Sequence, residues 1–233
     1  MEDYLNDINE IDAEYKLILV GDSTIGKTSF FKRITSGTFY EKNVSTIGFD
    51  RKALEFEITT KEEEKEVKKR ISINLTDTAG QERYFAITQT YFKGSNGVFL
   101  LYSIIDQKSF KNLNKWLSTV RNRIGNYENN KYLVFLMGTK LDLVEKDENL
   151  RQVSEQEAID FCEKNDINWY GEVSSKDISK EKLEEMLTKI SKQLYEKIGY
   201  NKFERNTLST LDKKKENNKR KKCCRSEERR VGK

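Results

Sequence analysis

The stretch LILVGDSTIGKT, residues 17–28, decides the fold class of this chain. Its first four residues form a continuous apolar run, which is typical of a strand buried on both faces of a sheet. The next eight fit the pattern G-x-x-x-x-G-K-[ST], a loop that leads from such a strand into a helix. Tight turns at Gly21 and Gly26 let successive N–H groups and the positive end of the helix face an anion. The stretch therefore predicts a site that holds a nucleotide by its phosphates.

Two side chains at the end of this loop have specific tasks in phosphate binding. Lys27 is placed to neutralise β- and γ-phosphate oxygens, and the Thr28 hydroxyl is placed to ligate a magnesium ion that accompanies the nucleotide. The loop by itself selects neither the base nor the reaction. The predicted phosphate-binding residues are Gly21, Asp22, Ser23, Thr24, Ile25, Gly26, Lys27, Thr28 and Ser29.

Length and composition limit the possible classes. The chain has 233 residues, enough for one domain with its own core and some additional chain at the ends. No apolar run approaches the roughly 20 residues of a membrane span, and the acidic start lacks a secretory signal, so we expect a cytoplasmic protein. Three cysteines and no histidine disfavour a disulfide framework, the usual zinc sites and imidazole catalysis. Cys162 is expected to be a core residue.

The net charge of +4 is unevenly distributed. Residues 212–233 hold eleven Lys or Arg and four Asp or Glu, a net charge of +7, which leaves −3 for the first 211 residues. A basic tail indicates an anionic partner such as a membrane surface or nucleic acid, although a solvated disordered end has the same composition. Binding to nucleic acid would be sensitive to salt and would require the tail.

Strand and helix patterns alternate along the rest of the chain. Further strands are predicted at residues 53–60, 71–76, 98–102, 133–138 and 169–173. Apolar residues recur at helical spacing over residues 110–124 and 183–198, and Ser154 with Glu157 forms a capping box before a shorter helix. The charged run 61–69 is expected to be a solvated hairpin extension. The alternation predicts an α/β fold with a largely parallel sheet and a ligand site at the carboxyl ends of its strands.

Four further segments lie at the predicted carboxyl edge of the sheet. They are Thr46-Ile47-Gly48, DTAGQE (residues 77–82), GTKLD (138–142) and VSSK (173–176). In this order and spacing, together with the phosphate loop, they resemble the small GTPases of the Ras superfamily over residues 15 to about 198. The resemblance implies the P-loop small-GTPase fold, which is α/β with a six-stranded, mostly parallel sheet flanked by about five helices.

The resemblance also implies which residues contact the base. Asp142 would accept hydrogen bonds from the donor edge of guanine, which adenine cannot supply, so the nucleotide would be GTP or GDP. Lys140 and Phe39 would pack on the base. The complete set on the base side would be Phe39, Thr139, Lys140, Asp142, Ser174, Ser175 and Lys176.

On the γ-phosphate side, the resemblance implies a switch. Thr46 would reach magnesium only when a γ-phosphate is present, and the Gly80 N–H would bond that phosphate. The metal ligands would be Thr28, Thr46 and, through water, Asp77. Gln81 would orient the attacking water while Lys27 neutralises charge in the transition state. No arginine is recognisable as a built-in finger, so hydrolysis would need a GTPase-activating protein and GDP release an exchange factor.

Within the superfamily, the sequence most resembles the Rab branch, which directs vesicle traffic. The likeness lies in STIGFD (45–50), DTAGQERY (77–84), YFKGS (91–95) and LLYS (100–103). GTKLD instead resembles the Rho branch, because Thr139 replaces the usual Asn. Effectors would contact residues 46–51 and 76–91. Rab proteins typically present aromatic residues there at three positions that are Arg51, Thr76 and Tyr91 in this chain.

Adjacent cysteines, Cys223 and Cys224, end a basic stretch and resemble the Rab lipidation signal. Two prenyl (geranylgeranyl) groups, with basic residues against anionic lipid, would give stable anchoring. The expected protein is a monomer, peripheral on the cytosolic face of an endomembrane or the plasma membrane. Its partners would include prenylation and membrane-extraction factors but no nucleic acid.

The alternative functions are a GTP-bound interaction protein with little turnover, a Rho-like signalling GTPase and, least favoured, a P-loop kinase or ATPase.

Nine residues follow the cysteines. Read codon by codon, RSEERRVGK (225–233) resembles the start of a widely used sequencing adapter, so we interpret it as read-through and exclude it from the fold. The expected organisation is an acidic flexible arm over residues 1–14, a GTPase domain over 15–200 and a flexible basic tail over 201–224.

Overall fold

The computed structural model describes residues 10–40, 49–62, 65–78, 92–124 and 131–199. Predicted functional residues outside these ranges are Thr46, Gly80, Gln81, Cys223 and Cys224. The strands are β1 (Ala13–Val20), β2 (Phe49–Glu62), β3 (Lys65–Thr78), β4 (Gly97–Ser103), β5 (Leu133–Thr139) and β6 (Asn168–Val173). They form one six-stranded sheet in the order β2-β3-β1-β4-β5-β6. β2 pairs with β3 in antiparallel fashion and all other pairs are parallel, which confirms the predicted fold class.

Helices follow β1, β4, β5 and β6 along the chain. Within the described residues they are α1 (Lys27–Ser36), α2 (Gln107–Lys111), α3 (Leu113–Ile124), α4 (Leu141–Lys146), α5 (Glu155–Asn165) and α6 (Lys180–Ile198), with a 3₁₀ turn at Glu148–Leu150. The predicted capping box of Ser154 and Glu157 opens α5. In the described part of the chain, no helix combines the length and apolarity that crossing a membrane requires.

Some element boundaries differ from the sequence prediction, whereas the hairpin extension agrees with it. β1 begins at Ala13, four residues before the apolar run 17–20, because it pairs with β3 from its first residue and the Asp12 N–H donates to the Arg70 carbonyl (2.9 Å). The charged run does extend the hairpin, and β2 and β3 stay paired up to Glu62 and Lys65. The helix predicted over residues 110–124 begins at Gln107 and is interrupted at Asn112, so that α2 and α3 are separate segments.

The sheet separates two apolar cores, and alternate residues of β1 face each of them. Leu17 and Leu19 pack with α1 and α6, whereas Ile18 and Val20 pack with α3 and α5. This alternation explains the continuous apolar run of β1, since both of its faces are covered. Cys162 of α5 is buried in the second core as predicted, and burial raises the pKa of its thiol to about 12.

Aromatic rings join α1 to the sheet in the first core. The ring of Phe99 on β4 lies 5.8 Å from that of Phe30 on α1 and 5.8 Å from that of Phe135 on β5. Phe135 in turn makes an edge-to-face contact with Tyr170 on β6 at 5.2 Å. Because α1 follows the predicted phosphate loop directly, these contacts fix the position of that loop on the sheet.

We expect the substitution Phe99→Ala to lower the free energy of unfolding by about 3–5 kcal/mol, since it leaves a cavity among fully buried rings. Urea unfolding followed by circular dichroism measures this loss. Leu150→Ala is the control, because Leu150 is 43% exposed and its truncation should change stability by less than about 0.5 kcal/mol. Equal effects of the two substitutions would contradict the assignment of the core.

Candidate functional site

The loop between β1 and α1 lies against the backbone of β4. A Cβ atom at Gly21 would come within 2.4 Å of the Leu101 carbonyl oxygen, so only glycine permits this approach. Gly26, with a φ of 106°, precedes α1 in a left-handed conformation and provides no side-chain cap. Gly26 therefore does not cap the N-terminus of α1, the position at which the sequence predicts bound phosphates.

Lys27 is buried beneath this loop. Its Nζ donates to the carbonyl oxygens of Gly21 (3.0 Å) and Asp22. Burial lowers the pKa of Lys27 to about 8, and the carboxylates of Asp77 and Asp22 oppose that shift. A buried ammonium held by carbonyl groups at the start of the loop is suited to neutralise a phosphate bound above it.

A hydroxyl and a carboxylate meet next to Lys27. Thr28 Oγ1 donates to Asp77 Oδ2 at 2.7 Å, because β3 lies beside β1 and Asp77 follows the residue paired with Ile18. Asp77 is fully buried, and its Oδ1 has no hydrogen-bond partner among the residues that the structure describes. Burial raises the pKa of Asp77, while Thr28 and Lys27 oppose the shift. An unpaired buried carboxylate oxygen beside a threonine hydroxyl fits a hard cation such as Mg²⁺.

The described residues contain no group of three or more His, Cys, Asp or Glu that could hold a metal ion. Mg²⁺ in nucleotide sites takes one or two protein ligands together with water and substrate phosphates. Thr28 and Asp77, which are in contact, could supply such ligands beside a bound nucleotide.

Thr139 at the end of β5 contacts the loop from the other side. Its hydroxyl lies within hydrogen-bonding distance of the carbonyl oxygens of Ile25 and, at 2.8 Å, Tyr102. With one proton, the hydroxyl donates to one of these carbonyls at a time. Thr139 thus links the phosphate loop to the ends of β4 and β5 and is buried, so it supports the site from below.

The predicted base-side residues meet where β5 and β6 end, since Thr139 pairs with Val173. Ser174 Oγ lies 3.1 Å from Asp142 Oδ1 and accepts hydrogen bonds from the N–H groups of Lys176 (3.2 Å) and Asp177 (3.0 Å). The loop after β6 is thereby folded into a tight turn beside Asp142. Ser174 and Ser175 are buried, so their contribution to a pocket comes through this turn and its backbone.

Two further base-side residues, Lys140 and Phe39, are also in the described structure. Lys140 adopts a left-handed conformation (φ 69°) at the start of α4, and burial lowers its pKa while Asp106 and Asp142 oppose the shift. Phe39 follows α1 and is half-buried.

Sequence reasoning missed Arg33, which connects α1 to the base-side turn. Its Nε and Nη2 donate to the Ile178 carbonyl at 3.1 and 2.6 Å, and its Nη1 donates to the Gly37 carbonyl at 2.9 Å. The guanidinium therefore ties the segment that leads to Phe39 to the turn that contains Ser174. A basic residue near the end of a helix was visible in the sequence, but its partner 145 residues away was not.

The sequence also gave no indication of what holds Asp22. Its carboxylate accepts one hydrogen bond from Asn112 Nδ2 and one from Trp116 Nε1, each at 2.7 Å. Asn112 lies between α2 and α3, and Trp116 is on α3. The phosphate loop is consequently attached to this pair of helices as well as to the sheet.

A phosphate loop at the carboxyl edge of a mostly parallel sheet, with a buried lysine beside a Thr–Asp pair, defines a P-loop nucleotide-binding protein. A model of the Ras family matches residues 16–196. The chain is 34% identical to the Ras-related protein Rab-30 of Homo sapiens over 211 residues, 91% of either chain. It is 35% identical to the GTP-binding protein ypt1 of Schizosaccharomyces pombe over 194 residues, 83% of this chain and 86% of that one.

The chain therefore belongs to the Ras family. It is a Rab-like small GTPase, as its motifs predicted.

Thr24 is the unusual residue of the phosphate loop. It has a φ of 64°, in the left-handed region that β-branched residues rarely adopt, and its side chain is exposed. The clash of Cβ with the backbone costs about 1–2 kcal/mol in this conformation. Thr24 is therefore a source of strain in the loop that binds phosphate.

We expect Thr24→Gly to raise the free energy of unfolding by about 0.5–1 kcal/mol, because release of strain exceeds the entropy that glycine adds to the unfolded chain. Thermal unfolding at saturating GDP measures the change. Ser23→Gly is the matched control, because Ser23 is exposed and is not among the described residues with positive φ. This substitution should lower the free energy of unfolding by about 0.5–1 kcal/mol. Destabilisation by both substitutions would show that the loop is not strained at Thr24.

Proposed function

We propose that this protein is a molecular switch that binds GTP and hydrolyses it to GDP at the carboxyl edge of its sheet. The observation that carries the proposal is the contact of Thr28 with Asp77 beside the buried Lys27, which leaves Asp77 Oδ1 without a partner in the described part of the chain. A triphosphate with its Mg²⁺ supplies both an anion for Lys27 and a cation for Asp77. Membership of the Ras family supports this use of the site.

Asp142 is proposed to select guanine. It lies beside the turn that Ser174 forms after β6 and near the end of β5, where Thr139 is followed by Lys140. A carboxylate in this position accepts from the two neighbouring N–H donors of guanine, whereas adenine would leave it unpaired. Phe39 and Lys140 would pack on the base, and Ser175 with Lys176 would close the pocket through their backbone.

Hydrolysis is proposed to depend on positioning and charge, with little covalent chemistry. Gln81 would orient the attacking water, and Lys27 would neutralise oxygens of the transition state. Mg²⁺, held by Thr28, Thr46 and, through water, Asp77, would add positive charge at the phosphates. Gln81 and Thr46, like Gly80 with its N–H for the γ-phosphate, lie outside the described residues, so these roles rest on the motifs.

We further propose a role in vesicle traffic from the cytosolic face of a membrane. The likeness to Rab-30 and ypt1 over most of the chain supports the Rab type, and Cys223 and Cys224 behind a basic segment support double prenylation. An exchange factor, a GTPase-activating protein and effectors at residues 46–51 and 76–91 would complete the cycle. Thr76 is fully buried, so it offers effectors no side chain.

The second candidate is a protein that binds GTP and interacts with partners but turns over little. The strained backbone at Thr24 favours this reading, because a distorted phosphate loop alters the position of the γ-phosphate on which hydrolysis depends. The hydrolysis experiment below separates the two candidates.

Asp142→Asn should weaken GDP binding by about 100-fold or more, because an amide cannot accept both hydrogen bonds of guanine. Competition against labelled GDP measures the affinity, and ATP should compete poorly with the wild-type protein. Asp160→Asn removes the same charge from the exposed face of α5 and should leave affinity unchanged. Strong competition by ATP would instead revive an adenine nucleotide as the ligand.

Gln81→Leu should reduce GTP hydrolysis stimulated by an activating protein by about two orders of magnitude without weakening GTP binding. Release of inorganic phosphate in single turnover measures the rate. Gln156→Leu on the exposed face of α5 serves as control. Rapid hydrolysis by the purified protein alone, or an unchanged stimulated rate, would contradict the proposed mechanism, and absent turnover of the wild type would favour the second candidate.

Replacing both Cys223 and Cys224 by Ser should move the amino-terminally tagged protein from the membrane fraction to the soluble fraction of cells. Cys162→Ala, in the core, should not change the distribution. Equal solubility of the wild type and the double variant would refute the membrane model. The comparison should use a chain that ends at Cys224, since prenylation in this family requires cysteines at or very near the end.

A further inference from the structure

Asp22 places a negative charge in the phosphate loop. Asp22 is the second residue of a loop that we propose binds phosphates, and a carboxylate turned towards a phosphate would repel it. In the structure the carboxylate is turned towards α2 and α3, where both of its oxygens accept hydrogen bonds at 2.7 Å, one from Asn112 and one from Trp116. Its backbone carbonyl accepts from Lys27 on the other side.

These two donors are themselves well fixed. Trp116 is 9% exposed and packs in the second core on α3. The N–H of Asn112 donates to the Lys108 carbonyl (3.0 Å), and the Asn112 carbonyl accepts from the Trp116 N–H (3.1 Å). Asp22 is therefore attached to a rigid part of the helix pair, and hydrogen bonds to a charged acceptor are stronger than those between neutral groups.

We propose that Asn112 and Trp116 are positioning residues for the phosphate loop, which they hold through the Asp22 carboxylate in the conformation that retains bound nucleotide. The proposal rests on the proposed binding of GTP and GDP. On this view the rate of GDP release depends on a contact between the loop and α3, in addition to the contacts of the nucleotide itself. A partner that displaced α3 would accelerate release.

The test measures the release of N-methylanthraniloyl-GDP from the full chain in excess GDP at fixed magnesium concentration. Trp116→Phe keeps the packed ring but removes one donor, and Asp22→Asn replaces the charged acceptor by a neutral amide, whose hydrogen bonds are weaker. Each should accelerate release by about fivefold or more. Tryptophan emission gives a second readout: in a Trp169→Phe background it comes from Trp116 alone, since the chain has two tryptophans, and Asp22→Asn should shift it.

Exchanging the side chains of Asp22 and Asn112 distinguishes an effect on loop position from an effect of lost charge or lost stability. In Asp22→Asn with Asn112→Asp, the new amide can donate to the new carboxylate while its oxygen accepts from Trp116. Release should return to within about twofold of the wild-type rate, and the emission shift should be reversed. Asp22→Asn with Asn114→Asp is the matched control, since Asn114 is exposed at the start of α3; it adds the same charge and should restore neither.

The outcomes distinguish this proposal from the function on which it rests. Wild-type protein that does not bind GDP would overturn both. Normal GDP binding with unchanged release in Trp116→Phe and Asp22→Asn would overturn only the positioning role, as would failure of the double exchange in a folded protein. If Asp22→Asn does not fold, which circular dichroism shows, the release rate of Trp116→Phe decides.

Discussion

The attachment of the phosphate loop to the ends of β4 and β5 is the constraint on which the rest of the site depends. Gly21 lies so close to the Leu101 carbonyl that no side chain fits, and the Thr139 hydroxyl reaches the carbonyls of Ile25 and Tyr102. The loop is thus held near its start by the backbone of β4 and near its end by the Thr139 side chain of β5. Lys27 and Thr28 follow this loop directly, so its attachment to the sheet also determines where they lie.

Burial then determines what this site can bind. Lys27 and Asp77 are both buried away from water. Burial lowers the pKa of Lys27 and raises that of Asp77, which in each case favours the neutral form. Each charge opposes the shift of the other, yet within the described ranges one oxygen of Asp77 has no hydrogen-bond partner. An anion with a divalent cation would restore to both groups the interactions that burial removed. This complementarity explains why one site would take the phosphates and the metal together.

The two unusual residues of the site have different physical consequences. Thr139 is the residue typical of the Rho branch at this position, whereas the similar proteins described above are of the Rab and Ypt type. In the structure its hydroxyl lies 2.8 Å from the Tyr102 carbonyl oxygen, and a hydroxyl, like an amide N–H, can donate to a backbone carbonyl. Thr24 instead combines a left-handed backbone conformation with a β-branched side chain, which is strained. Because the side chain is exposed, no burial energy compensates for this strain. The first is a tolerated exchange and the second is a source of strain.

The sequence determined the elements and the class of this protein, because strands buried on both faces, the glycine pattern of the phosphate loop and the capping box at Ser154 are local signals. Fold class and family, predicted from them, were confirmed. The tertiary structure alone decided the early start of β1, the interruption at Asn112, and the support that Arg33 and Trp116 give to the site. Trp116 and Asp22 are 94 residues apart, and Arg33 and Ile178 are 145 apart. Such contacts have no local pattern, since they arise only when the sheet brings distant loops to one edge.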